Sequence, residues 1–171
     1  MKSFKSILLE QLEENQDKIV IKKSETADTR TCDWSKVSPE QLLRSSKSHI
    51  DDVKKGLKYF SNQLTLAGEK HDHDKISDIE GFHEFFSTGF KSENWYKTHK
   101  KVNRHHVADS DGVPKDVNLV DVIEYVVDCI MAGVARSGHV YTLELPNELL
   151  QQAFQNTVTK LKEVVELEEN Y

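Results

Sequence analysis

The sequence predicts an all-α protein, a single-domain helical bundle with an irregular N-terminal extension. Three observations lead there. The chain of 171 residues carries only three prolines and seven glycines, which leaves room for long uninterrupted helices. Apolar residues recur at helical spacing through most of residues 39–167. The stretch before them, from Asp17 to Val37, is rich in Ser, Thr and Lys and has no helical period. These features divide the chain into an extension, 1–38, and a helical domain, 39–171. A chain of this length holds one domain with a real core.

The elements follow in order. Phe4, Ile7, Leu8 and Leu12 give a short amphipathic helix over residues 3–14. Residues 17–37 read as a loop, with Ile19, Val20 and Ile21 as the one place for a short strand. Ser38-Pro39-Glu40-Gln41 is a helix start: Ser at the N-cap, Pro at the first helical position and Gln at the third. The helix it opens carries Leu43, Ile50, Val53, Leu57, Phe60 and Leu64 on one stripe, and Gly68 is its expected end. A short helix bearing His71 to Lys75 follows, then one at about 78–90 that Gly89 closes. Glu93 to Val102 is again helical, and ADSDGVPKD after His106 is a turn. Residues 117–135 are apolar almost all round, as expected of a helix at the middle of a bundle. Their exceptions, Asp121, Glu124 and Asp128, fall on one narrow stripe, and Gly138 ends the element. A last helix runs from Pro146 to about Leu167.

Composition excludes several functions. A net charge of −6 argues against a general nucleic-acid binder, which carries a basic face. It leaves open a nucleotide held by a few local cations. No stretch approaches membrane-spanning length, and the N-terminus lacks the apolar run of a signal peptide. Two cysteines, Cys32 and Cys129, make neither a disulfide framework nor a zinc clip. The expected location is the cytoplasm. The first 40 residues and the acidic last helix are candidates for a homo-oligomer interface.

Histidine is the unusual residue: there are eight, and seven of them lie between His49 and His106, with His139 beyond. Each helical element supplies candidate ligands: His49, then His71 and Asp72, then His99, His105 and His106, then Asp121 or Asp128. Mixed imidazole and carboxylate donors suit a divalent metal ion such as Mn, Fe, Co, Ni, Zn or Mg, one or two of them, and do not suit a thiolate-loving ion. His99, His83 and His139 individually read as structural or exposed.

The order His…His-Asp…His-His…Asp resembles the HD superfamily of metal-dependent phosphohydrolases. The likeness is strongest to a largely uncharacterised family of small bacterial and phage proteins of that style. It rests on HDHDKIS, NRHH and LVDVIEYVVDCIMAGVARSG, within residues 45–137. The resemblance implies an HD-domain type of bundle. It also implies metal ligands at His49, His71, Asp72 and Asp128, with His105 or His106 added. Lys75 sets the register on His71-Asp72; Asp74 stands where the family has a small residue, so His73-Asp74 stays open, as does Asp121 for Asp128. The implied reaction is hydrolysis of a phosphomonoester or phosphodiester by metal-activated water, on a small phosphorylated molecule and above all a nucleotide. Asp72 and Asp128 would both bind the metal and orient the water, Lys75 and Arg104 would face the phosphate, and His106 would protonate the leaving oxygen. Arg136 is a further candidate for the phosphate. Two other functions compete: a di-iron oxygenase on the same scaffold, and a non-catalytic interaction module stabilised by metal.

Overall fold

The computed structural model of the chain describes residues 18–24, 26, 32–91 and 93–168. These residues are mostly helical, as the periodicity predicts. The helices are α1 (Pro39–Lys70), α2 (His73–Ser77), α3 (Ile79–Ser87), α4 (Glu93–Val102), α5 (Leu119–Ser137) and α6 (Asn147–Val164), and two short strands join them, β1 (Ile19–Ile21) and β2 (Val165–Leu167). The helix expected over residues 3–14 lies outside the described residues. No helix among the described residues is long and apolar enough to cross a membrane. The chain divides into two compact units, one of Met1–Asn62 with Thr159–Tyr171 and one of Gln63–Val158.

In the first unit β1 and β2 pair in parallel, Ile19 opposite Val165 and Ile21 opposite Leu167. The last helix therefore stops at Val164, three residues before its expected end. The β-branched pair Val164-Val165 favours extended backbone, and β1 supplies hydrogen-bond partners in place of a further helical turn. Lys18 to Glu166 (2.5 Å) and the Lys55 ammonium donating to the Val20 carbonyl (2.8 Å) hold the pair in place. The α1 start is the expected capping box: Gln41 N–H donates to Ser38 Oγ (3.3 Å), and Ser38 N–H donates to Gln41 Oε1 (2.9 Å).

The second unit is built on Val107, Val117 and Ala153, with Val113, Leu119, Val122, Tyr125, Leu145 and Leu149 packed around them. Helix α5 begins with a full capping box between Asn118 and Asp121 and ends at Gly138, whose φ of 71° is the left-handed cap. It is not buried all round, as its composition suggests. Leu119, Val122 and Tyr125 face the core, while Ile123, Val127, Met131 and Val134 are exposed. Among the described residues one face of the helix is packed and the opposite one is exposed, so apolar composition overstates its burial.

Helix α1 passes through Gly68 and ends two residues later, at Lys70. The break falls instead on Asp72, with φ 52° and ψ 24°. Left-handed backbone costs an ordinary residue about 1–2 kcal/mol, less for Asp, whose short polar side chain tolerates it. The Asp72 N–H is held by the Asn103 side-chain oxygen at 3.0 Å. The Asp72 carboxylate does not cap the helix that follows. That turn aims it into the interior of the unit.

Candidate metal centre

Three segments of the second unit bring the donors together. The α1–α2 turn gives His71 and Asp72, the end of α4 and the loop after it give His99, His105 and His106, and the acidic stripe of α5 gives Glu124 and Asp128. Two groups have donor atoms close enough to hold a metal ion: Asp72, His99, His105 and His106, and His71, His105 and Glu124. His99 and His105 are each 2% exposed.

The hydrogen bonds fix which ring nitrogen of each imidazole faces the centre. His99 Nδ1 lies 2.8 Å from Asp74 Oδ2. His71 Nδ1 and His105 Nδ1 lie 2.9 and 3.1 Å from the same oxygen, Glu124 Oε1. An ionised carboxylate only accepts, so all three Nδ1 atoms donate, and the Nε2 atoms are the ones turned toward the centre. Those Nε2 atoms face two other carboxylates. His99 and His105 Nε2 stand 3.5 and 3.7 Å from Asp72 Oδ1. His71 Nε2 stands 3.5 Å from Asp72 Oδ2 and 3.6 Å from Asp128 Oδ1. These separations are too long for good N–H···O bonds. They match the spacing of two donors on one ion, about 3.4 Å for bonds of about 2.1 Å in a tetrahedral shell.

Two atoms at this point are buried with no hydrogen-bond partner, Asp72 Oδ1 and His106 Nε2. A buried orphan of this kind costs about 1–3 kcal/mol and calls for an explanation. Both are lone-pair donors in the same four-residue group, so the residues present fit a divalent ion. His106 stays neutral: burial first, then the adjacent His105 and His99, push its imidazole down to about 4. Burial pushes the Asp72 carboxyl up, but the Lys75 ammonium and the His71 and His99 imidazoles outweigh it and hold it below its ordinary value. Glu124 behaves likewise, burial opposing and the His105 and His71 contacts prevailing.

Some expected residues fall elsewhere. His49 is exposed on α1 in the first unit and belongs to neither donor group. Arg104 does not face a phosphate site. Its guanidinium is committed to Asp121 at 2.7 and 2.9 Å and to Asp116 at 3.1 Å, which raises its pKa further. Asp121 accepts those bonds and the Asn118 N–H (2.8 Å), so it is a structural cap rather than an alternative to Asp128. His106, neutral and buried, holds no spare proton near pH 7 for a leaving oxygen. His73 is exposed, while Asp74 of the same second pair orients His99. His83 and His139 are exposed.

The sequence reading gives Glu124 no ligand role on the α5 stripe, and sets His99, first counted among the candidate ligands, aside as structural or exposed. Glu124 shares the α5 stripe with Asp121 and Asp128, and that stripe was the available signal. His99 lies four residues before Asn103, on the same face of α4. Trp95 lies over it, ring centroids 4.9 Å apart and planes 16° from parallel. Gly81 lets the indole sit close, since a Cβ there would come within 2.8 Å of Trp95 Cδ1. Trp95 Nε1 donates to Asp78 at 2.9 Å.

An open pocket of about 750 Å³ adjoins the centre. Phe82, Phe85, Phe86, Phe90, Trp95 and Tyr96 form its apolar wall, and Lys75, Arg136, His99, His105, His106 and Asp128 its polar side. Phe90 has φ 64°, an unusual backbone for a bulky residue. It sets its ring edge-on to Phe85 and Phe86 at 5.2 and 5.4 Å. A second, more apolar pocket of about 430 Å³ lies between the end of α1 and α5 and reaches His71, Glu124 and Asp128. No protein-family model, curated protein or solved structure matches this chain significantly.

Proposed function

We propose that this chain is a metal-dependent phosphohydrolase of the HD type, acting on a small phosphorylated molecule, a nucleotide above all. The observation that carries the reading is the pair of orphaned buried donors, Asp72 Oδ1 and His106 Nε2, beside an aromatic pocket that also holds Lys75 and Arg136. Asp72, His99, His105 and His106 would hold the ion. The donor set departs from the HD pattern at its first position, where His49 takes no part and His99 and His105 stand instead. A bound divalent ion supplies a water whose pKa falls from about 15.7 to near 7.

The chain's own residues do the rest. Asp128, half-buried, faces His71 and His105 and lines the pocket, where it can orient the attacking water and take its proton. Lys75 sits against Asp72 and borders the pocket, so its charge opposes the phosphoryl oxygens as they gain negative charge. Arg136 replaces Arg104 as the guanidinium free to meet phosphate, because it lines the pocket while Arg104 is tied to Asp121. The aromatic wall offers flat faces on which a base stacks.

The test is elemental analysis of the purified protein, then a phosphatase and phosphodiesterase panel with Mn, Co, Ni and Mg. The expected result is metal-dependent hydrolysis that disappears in the double variant His71→Ala, Asp72→Ala while its helical circular-dichroism spectrum persists. A parent protein inactive with every divalent ion would sink the enzyme reading and leave a metal-stabilised interaction module.

A further inference from the structure

The two donor groups share His105 and differ in what Glu124 does. If Glu124 is a ligand, the chain has a second ion position on His71 Nδ1, His105 Nδ1 and Glu124. If it is not, its carboxylate has another task. We infer that the centre holds one ion, and that Glu124 is a positioning carboxylate shared by two imidazoles. This rests on the metal reading above.

Four observations carry it. First, a single oxygen, Glu124 Oε1, stands 2.9 Å from His71 Nδ1 and 3.1 Å from His105 Nδ1, the lengths of two charge-assisted N–H···O bonds. Second, the opposite nitrogens of the same rings stand at 3.5–3.7 Å from the Asp72 and Asp128 oxygens, where a hydrogen bond would be poor. An ion on the Nδ1 side would leave both Nε2–H groups facing acceptors out of their reach. Third, of the three unpartnered buried side-chain atoms among the described residues, the two at this centre, Asp72 Oδ1 and His106 Nε2, both belong to the four-residue group, and neither belongs to the Glu124 group. Fourth, the other Asp72 oxygen is already met by a cation, the Lys75 ammonium, so Asp72 has one oxygen left for a metal.

The same device recurs on the third ring. Asp74 Oδ2 accepts from His99 Nδ1 at 2.8 Å, and Asn103 Nδ2 donates to the other Asp74 oxygen at 2.8 Å. Two carboxylates thus orient three imidazoles, and for the two in the four-residue group, His99 and His105, this is the outer-shell arrangement found around metal-binding histidines. Glu124 serves two rings from one helix. Its loss turns both at once.

The experiment counts ions per chain after saturation with Co(II) and gel filtration, and measures affinity by chelator competition, for the parent, Glu124→Gln and Glu124→Ala. Cobalt's visible absorption reports the ligand set independently of any activity. The expected result is one ion per chain in all three proteins. Affinity should fall about 10–100-fold in Glu124→Ala and less in Glu124→Gln, which keeps an acceptor oxygen. The cobalt spectrum should keep its shape in Glu124→Gln. Two ions in the parent and one in Glu124→Gln would overturn the inference and leave the metal reading standing. One ion with unchanged affinity in both variants would also overturn it. No ion in the parent would sink the metal reading, and this inference with it. Should Glu124→Ala fail to fold by circular dichroism, Glu124→Gln decides alone.

Discussion

Asp72 and Asp121 are the same chemical group in one unit, and their surroundings give them opposite tasks. Asp121 is 2% exposed and its oxygens are met by two Arg104 nitrogens and the Asn118 N–H. Asp72 has one oxygen on Lys75 and one on nothing, buried and facing imidazoles at 3.5 Å or more. A carboxylate whose lone pairs are all used holds the fold together. One left with a lone pair, among imidazoles whose Nε2 atoms point the same way, is suited to a cation that the polypeptide does not provide. Burial alone does not separate the two, since the unpartnered Asp72 oxygen is buried as the Asp121 side chain is.

The largest effect should come from the Asp121 side. Arg104→Ala leaves a buried carboxylate short of its counter-charge and should cost about 3 kcal/mol, the low end for such pairs because the arginine is partly hydrated. That corresponds to a melting point lower by roughly 6–12 °C for a chain of this size, with ion uptake per folded chain unchanged. Were ion uptake to vanish while the melting point held, the contrast would be reversed. Next, Asp72→Asn should weaken ion binding by more than about a hundredfold, beyond what an outer contact costs. The melting point of the ion-free protein should hardly move. A large loss of stability there would make Asp72 a structural group like Asp121. Smallest is Ser38→Ala, which removes the α1 cap. It should cost about 1 kcal/mol in urea unfolding and leave ion affinity as it was; a change in affinity would tie the α1 cap to the site.

Much of this was legible in the chain. The start of α1 could be read from Ser38 and Gln41 because a cap is a local event, complete within four residues. Gly138 ended α5 for the same reason. The α1 stop was misread because Gly68 has the freedom to end a helix but no need to. The turn is taken by Asp72, whose backbone is held by Asn103 from thirty-one residues further on. Strand β2 was hidden because its partner β1 lies at the other end of the chain, and three residues carry no period. At the centre, His71 and Asp72 could be read from adjacency, and Asp128 from its place on an acidic stripe. Glu124 and His99 could not, because what distinguishes them is a partner across the fold: two imidazoles for one, Asp74 and an indole for the other. Arg104 looked free only because its distant partner Asp121 is seen in three dimensions alone.

The flat contact between Trp95 and His99 has a practical consequence. Indole emission responds to charge and to heavy or paramagnetic neighbours within a few ångströms, and this indole rests on a ring whose far nitrogen is a donor. The molecule therefore carries its own optical gauge of occupancy. With Trp34 replaced by phenylalanine, Trp95 is the one indole left, and quenching of its emission by cobalt or nickel would report an ion at the donor cluster without any substrate being known.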